Sequence, residues 1–294
     1  MLIIDLGQSG SRYQIGQDKF SLSRGKLSGE DTLEALSAVF KLIHEVRESQ
    51  VILSCTGFYG EVSEPEKYLN LCAYFFGAKE VAVIDDGLAG FMGALRRDVG
   101  VVLTLGGGVV SIGGNKGVFV HRDGLGSTFG DEGGGYWLGK LAITKALGIR
   151  QGRGLDQKML EYFSQECEAF DALVIKNSAD AATLAIQSAK KVLEAADAGS
   201  TTAMSIVDEG AFLLAQTVAA SWIGCGGSQT DSPEIVIQGG LAQNASYSAK
   251  ISREILQILP HAKVVQPIGD NLDGASWIAQ NMLEDAPPLL RWAR

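Results

Sequence analysis

Met1-Leu2-Ile3-Ile4-Asp5-Leu6-Gly7-Gln8-Ser9-Gly10-Ser11-Arg12 is an apolar strand that ends beside an aspartate and runs into a turn of glycines and small hydroxyls. Such a turn lets backbone N–H groups approach an anion, with Asp5 beside it for a divalent cation. That is the chemistry of a nucleotide-phosphate clamp. Val101-Val102-Leu103-Thr104-Leu105-Gly106-Gly107-Gly108-Val109-Val110-Ser111-Ile112 repeats the strand, glycine turn and strand. Gly106, Gly107 and Gly108 read either as a tight hairpin or as a turn that offers N–H groups to a β- or γ-phosphate, since a two-residue hairpin turn needs no third glycine. Two such hairpins with helix between them predict a duplicated fold that closes on a phosphate from both sides.

Working outward, residues 12–16 and Phe20-Ser21-Leu22 extend the first strand into an antiparallel set. Ser28-Gly29-Glu30-Asp31-Thr32 caps an amphipathic helix with Leu33, Leu36, Val39, Phe40, Ile43 and Val46 on one face. Val51-Ile52-Leu53-Ser54 is a strand ending at Thr56-Gly57, a helix follows around 64–76, and Val81-Ala82-Val83-Ile84 delivers Asp85 and Asp86 to a helix over Leu88–Leu95. This β-β-β-α-β-α-β-α order restarts at Val101, with strands over 101–105, 109–112 and 118–121 and a glycine-dense loop over 124–135. Helices run to about residue 222. A strand over 234–238 then leads into Gly239-Gly240, followed by a helix from about 245 to 259, a strand over 263–265 and a helix over 273–284. The segment at Pro287-Pro288 is expected to be loosely held. No low-complexity linker intervenes, so an α/β chain of two touching lobes is predicted, one of residues 1–99 with about 272–294 and the other of 100–271.

At 294 residues the chain is long enough for two cores, and its 46% hydrophobic and 20% charged composition is that of a globular protein. A net charge of −9 argues against a nucleic-acid or anionic-membrane partner. Cys55, Cys72, Cys167 and Cys225 show no CxxC and no His at ligand spacing, as expected of buried thiols in a reducing cytoplasm. No apolar run reaches the ~20 residues of a membrane span and no signal-like segment is seen. A cytoplasmic protein is expected.

The DxGxS turn, the strand ending in aspartate, the second glycine hairpin and the late Gly-Gly before a helix occur together with Gly124-Leu125-Gly126-Ser127-Thr128-Phe129-Gly130-Asp131-Glu132-Gly133-Gly134-Gly135-Tyr136-Trp137-Leu138-Gly139. In this combination the chain resembles the N-acetylglucosamine kinase and glucosamine kinase group of the BadF/BadG/BcrA/BcrD ATPase family, within the actin/hexokinase/Hsp70 superfamily. The resemblance implies two RNase-H-like lobes with ATP and Mg²⁺ between them and an amino sugar as acceptor, phosphorylated at its 6-hydroxyl. By analogy the protein is a homodimer. Carried onto this chain, Asp5, Gly7 and Ser9 form the first phosphate turn, with Asp5 addressing Mg²⁺ through water. Gly106, Gly107 and Gly108 form the second turn, and Gly239, Gly240 and Gly210 lie near the nucleotide. Asp86 is the general base, and Thr56, Gly57, Gly124, Leu125, Gly126 and Asp131 face the sugar.

Three departures stand out. The second turn usually reads GTGS, whereas Gly106-Gly107-Gly108-Val109 lacks both hydroxyls. Leu125 stands where a tryptophan is common, and the segment after the first hairpin lacks an evident Asn for the sugar.

Bland roles compete at each position. Asp86 reads as a base or as a cap on the following helix, with Asp85 as the rival base. Asp5 reads as a metal ligand or a turn former, Arg12 as a phosphate partner or an exposed strand residue, and Glu132 as a favourable charge at a helix N-terminus. His44, His121 and His261 lack metal spacing, and Tyr136-Trp137 is expected to pack as helix core. Two other functions fit the same fold. One is a non-catalytic sugar or nucleotide sensor, suggested by the hydroxyls lost at Gly107 and Val109. The other is an activator-type ATPase, whose cluster-binding cysteines have no counterpart here.

Overall fold

β1 (Leu2–Leu6) is buried along its whole length, as a continuous apolar run requires when both sheet faces are covered. In the computed structural model, which describes residues 1–294 apart from 9, 28 and 172–177, β1 pairs antiparallel with β2 (Ser11–Ile15). β2 pairs antiparallel with β3 (Asp18–Leu22). α1 (Thr32–Phe40) begins at Asp31, whose side chain accepts the Leu33 and Glu34 N–H groups; Ser28 lies outside the described residues. β4 (Gln50–Cys55) then adds parallel to β1, α2 (Pro65–Phe76) follows, and β5 (Glu80–Asp85) adds parallel to β4 before α3 (Asp86–Leu95).

The second half repeats this order with the same strand senses. β6 (Gly100–Leu105), β7 (Val109–Asn115) and β8 (Val118–Asp123) form the antiparallel set. Among the described residues five helices follow: α4 (Gly135–Arg150), α5 (Gln157–Tyr162), α6 (Ser164–Asp171), α7 (Ser178–Asp197) and α8 (Thr201–Gly224). β9 (Glu234–Gln238) adds parallel to β6, and after α9 (Ala245–Ile258) β10 (Lys263–Val265) adds parallel to β9. The sheets therefore read β3-β2-β1-β4-β5 and β8-β7-β6-β9-β10, matched strand for strand. The duplication expected from the two glycine hairpins is the architecture of the chain.

α10 (Asn271–Asn281) returns from the second sheet toward the first, and β11 (Leu290–Ala293) completes the chain. The segment after Pro287-Pro288 is not loose. β11 pairs antiparallel with β5, Leu289 and Leu290 are fully buried, and the Val62 and Asp85 N–H groups donate to the Pro288 and Leu289 carbonyls at 2.8 and 2.9 Å. Four residues after two prolines are too short a run to read as a strand from pattern; the free edge of β5 supplies what the pattern lacks.

α3 and α10 lie between the two sheets and cross in backbone contact. A Cβ on Gly274 would fall 1.8 Å from the Ala89 carbonyl oxygen, and one on Gly93 2.0 Å from that of Asp270. Leu88, Phe91, Leu272 and Ile278 of this pair share one core with Ile3, Ile52 and Ile84 of the first sheet and Val102, Ile112 and Val236 of the second. By length and composition α8 is apolar enough to cross a membrane, which the sequence reading did not anticipate. Its Ile206, Leu214, Val218 and Trp222 are instead buried in the core of the second lobe.

Candidate active site

Asp5 ends the first strand where it enters the glycine turn, and only 7% of its surface is exposed. Its Oδ1 accepts from Ser54 Oγ at 2.9 Å and from Asn271 Nδ2 at 3.4 Å. Its Oδ2 accepts from Arg12 Nη2 at 2.6 Å and Nε at 3.2 Å. Arg12 also donates to Asp270 Oδ2 at 2.6 Å, which ties β2 to the capping residue of α10. A carboxylate offers about four lone-pair sites, and all are engaged here. The donor set does not fit direct metal coordination by Asp5, and among the described residues no group of three or more His, Cys, Asp or Glu could hold a metal ion.

Asp85 and Asp86 stand at the junction of β5 and α3. Asp85 is the helix cap: its Oδ1 accepts from Gly87 N–H at 3.0 Å and its Oδ2 from Gly60 N–H at 3.3 Å, which fixes the loop after β4. The cap role weighed for Asp86 thus belongs to its neighbour, leaving the half-buried Asp86 carboxylate available. Burial first, then the like charges of Asp85 and Asp5, pushes Asp86 up to about 8, with hydrogen bonding from the Thr56 side chain and Gly87 N–H offsetting part of the rise. Burial also raises Asp85, partly offset by the nearby His121. A carboxyl whose affinity for protons lies near neutrality is suited to take one from a hydroxyl.

The first glycine turn is closed by Gly7 N–H donating to the Gly10 carbonyl at 3.0 Å. Ser9 lies outside the described residues. The segment after β3 packs directly on this turn. Lys26 N–H donates to the Gly7 carbonyl at 2.9 Å, and Ser11 Oγ donates to that of Arg24 at 2.6 Å. A Cβ on Gly25 would fall 2.4 Å from the Gln8 carbonyl oxygen. Gly57, at φ +95°, lies directly under the end of the Lys26 side chain.

In the second turn Gly106 N–H donates to the Gly108 carbonyl, while the Gly106 and Gly107 carbonyls accept the Gly135 and Tyr136 N–H groups at the start of α4. The N–H groups of Gly107 and Gly108 have no partner among the described residues, as a turn built to meet an anion requires. Asp131, from the glycine-dense loop, is bound to this turn: its Oδ1 accepts Val109 N–H at 2.9 Å, and its carboxylate lies where a Cβ on Gly108 would fall. Its own N–H donates to Asp123 Oδ1 at 2.8 Å. Thus the residue expected to face a sugar holds the second glycine turn in place. Gly124 and Gly126 adopt φ of +68° and +80°, and Leu125 and Phe129 project 67% and 88% exposed. Glu132 is exposed, as a charge near a helix N-terminus can be.

Gly239, at φ +101°, lies against Leu105 at the end of β6; a Cβ there would fall 2.3 Å from the Leu105 carbonyl oxygen. Gly240 borders a cavity of about 200 Å³, lined also by Lys190, Glu194, Leu241 and Asn244. A neighbouring cavity of about 330 Å³ opens between α7, α8 and α9. Gly210 is buried against the Tyr247 hydroxyl and Gly133, and the half-buried Trp137 packs on the same core as expected, while the Tyr136 ring lies under Lys140 Nζ at 5.7 Å. All four cysteines are buried.

The structure thus brings Asp5, Thr56, Gly57 and Asp86 together at one end of the first sheet and Gly106–Gly108 with Asp131 at the matching end of the second. Gly210 sits deeper in the second lobe. Three contributors escaped the sequence reading. Asn271, at the start of α10, donates to Asp5 and to the Asp86 carbonyl at 3.3 Å. His121 lies against Gly60 and Gly124 and so spans the two lobes. Lys26 sits between the first turn and Gly57. Only Lys26 had a signal, as one of the two cations, Arg24 and Lys26, that flank Gly25 after the hairpin.

Among solved structures, the fold is similar to the "putative N-acetylglucosamine kinase" of Chromobacterium violaceum, at 18% identity and TM-score 0.62, over 93% of this chain and 97% of that one. It is also similar to the protein of the same description from Porphyromonas gingivalis, at 15% identity and TM-score 0.67, over 96% and 100%. A ROK family glucokinase from Streptomyces griseus, solved with glucose and AMPPNP, aligns at 17% identity and TM-score 0.57, over 93% and 97%. No curated protein matches the sequence. At these identities the likeness establishes the two-lobed actin-like fold. Residues 3–276 match the BadF/BadG/BcrA/BcrD ATPase family, and the chain belongs to that family.

Proposed function

We propose that this protein is an ATP-dependent sugar kinase that phosphorylates an amino sugar, N-acetylglucosamine or glucosamine, at the 6-hydroxyl. The observation that carries the reading is Asp86, a carboxylate beside Thr56 whose proton affinity is raised to about 8 by burial and by Asp85 and Asp5. Phosphoryl transfer needs positioning, charge stabilisation and a proton acceptor. In this reading the turns at Gly7 and at Gly107-Gly108 hold the phosphates from the two lobes, Asp86 takes the hydroxyl proton, and Gly239-Gly240 border the nucleoside. Thr56, Gly57 and the Gly124–Gly126 loop surround the sugar. Mg²⁺ enters as the counter-ion of the nucleotide, with Asp5 reaching it through water, because the oxygens of Asp5 are engaged by Arg12, Ser54 and Asn271. The solved relatives named for sugar kinases support this reading. A cytoplasmic homodimer is proposed with it.

The sensor reading rests on the hydroxyls absent at Gly107 and Val109. The N–H groups of Gly107 and Gly108, without a partner among the described residues, speak for a turn that still receives phosphate. Burial of all four cysteines speaks against a cluster-bridging activator. A coupled ADP-release assay with ATP and Mg²⁺ across N-acetylglucosamine, glucosamine, N-acetylmannosamine and glucose tests the proposal. Turnover that requires one amino sugar is expected; ADP release indifferent to every sugar would remove it.

A further inference from the structure

Lys26 is the cation that the reading above leaves unused. Its backbone is fixed to the first phosphate turn by the bond from its N–H to the Gly7 carbonyl, at 2.9 Å. The two residues before it are fixed there too, Arg24 through Ser11 and Gly25 through its close approach to Gln8 and Gly10. From this anchored stem the side chain crosses to the end of β4. A Cβ on Gly57 would fall 2.8 Å from Lys26 Cε and 3.0 Å from Nζ. Gly57 is next to Thr56, whose side chain bonds Asp86. The ammonium thus lies over Gly57, one residue from the partner of the Asp86 carboxylate, on a stem anchored to the turn that would carry the donor phosphates.

Among the described residues this ammonium makes no hydrogen bond or ion pair. Glu30, which feels its charge, is already bonded to Arg24 and to Leu27 N–H. Of the other cations near the site, Arg12 is committed to Asp5 and Asp270, and Arg24 to Glu30. A half-buried lysine on a rigid stem with no acidic partner, in a site that gathers three aspartates, is placed to receive an anion.

We propose that Lys26 is a catalytic residue that grips the γ-phosphoryl group as it moves from the nucleotide to the acceptor. The inference rests on the kinase reading. In that step the bond from the γ-phosphorus to the bridging oxygen breaks and its electron pair leaves with ADP. The acceptor oxygen forms the new bond and its proton passes to Asp86. Lys26 supplies positive charge to the oxygens of the group in transit and forms no covalent bond.

Lys26→Met keeps the length of the side chain and removes its charge, and Lys26→Gln serves as a second neutral variant. The folding of both is checked by thermal melting. Calorimetry with ADP and with a non-hydrolysable ATP analogue separates the γ-phosphate from the rest of the nucleotide. The neutral variants are expected to bind the analogue roughly tenfold more weakly and ADP within about twofold of wild type. Their kcat is expected to fall by about 10²–10³-fold, with part of the loss recovered in Lys26→Arg. Equal weakening of ADP and analogue, or a rise confined to the KM for sugar, would overturn the assignment. A wild-type protein without sugar-dependent turnover would remove the kinase reading, and the difference between analogue and ADP would still decide whether Lys26 meets a γ-phosphate.

Discussion

The proton affinity of Asp86 sets the shape of the pH profile of kcat/KM, which reports groups of the free enzyme. With Asp86 titrating at about 8, the ionised fraction is roughly one part in a hundred at pH 6, one in eleven at pH 7 and one half at pH 8. The sign follows from the role: a general base works as the carboxylate, so activity rises with pH. An increase of about ninefold from pH 6 to 7 and about fivefold from pH 7 to 8 is expected, with a plateau above pH 9. An aspartate at its ordinary value would be fully ionised throughout and give a flat profile. The second perturbation is Asp85→Asn, which removes the nearest like charge while its side-chain oxygen can still accept Gly87 N–H. Burial, the larger cause, remains, so the inflection is expected to fall and yet stay above the ordinary carboxylate range. The assay is initial-rate ADP release at limiting sugar, from pH 5.5 to 9.5 at constant ionic strength. A flat wild-type profile would refute the reasoning, as would an inflection that ignores Asp85→Asn.

Asp131→Ala is expected to lower stability by ~1–3 kcal/mol, leaving Val109 N–H without its acceptor, and to raise the KM for ATP. A rise in the KM for sugar alone, at unchanged melting temperature, would assign Asp131 to the sugar instead. Gly274→Ala drives a methyl group into the Ala89 carbonyl at the crossing of α3 and α10. A loss of ~1–3 kcal/mol or more in denaturant unfolding is expected, and a neutral effect would mean that the two helices separate freely. Leu290→Ala empties a fully buried site in β11 and is expected to cost ~2–5 kcal/mol, whereas a loose terminal segment would show almost none.

The duplicated fold was legible because it is written in local chemistry: two apolar strands break at glycine turns, and each strand set is followed by helix. β5 was legible for the same reason, and with it the placement of Asp86 at a helix start. β11 was hidden because its strand character comes from the exposed edge of β5, a partner some two hundred residues earlier in the chain. The burial of α8 was equally hidden, since composition cannot separate a core helix from a spanning one. Asp5 shows the limit most clearly. Its position after an apolar strand marks it as special, but the partners that engage it come from β2, β4 and α10, brought together only by the closed fold. Asp131 was marked by its glycine-dense loop, yet its bond to Val109 depends on how that loop folds back on the second turn.

The most direct measurement is the mass of the sugar product formed from isotopically labelled ATP by the wild type and by Asp86→Asn, at equal, folded concentrations. The wild type is expected to place the labelled phosphoryl on an amino sugar at its 6-oxygen, and Asp86→Asn to form that product about 10²–10⁴-fold more slowly. Product formation by Asp86→Asn at the wild-type rate would contradict the role of Asp86. Labelled inorganic phosphate with no sugar phosphate from the wild type would contradict the kinase itself.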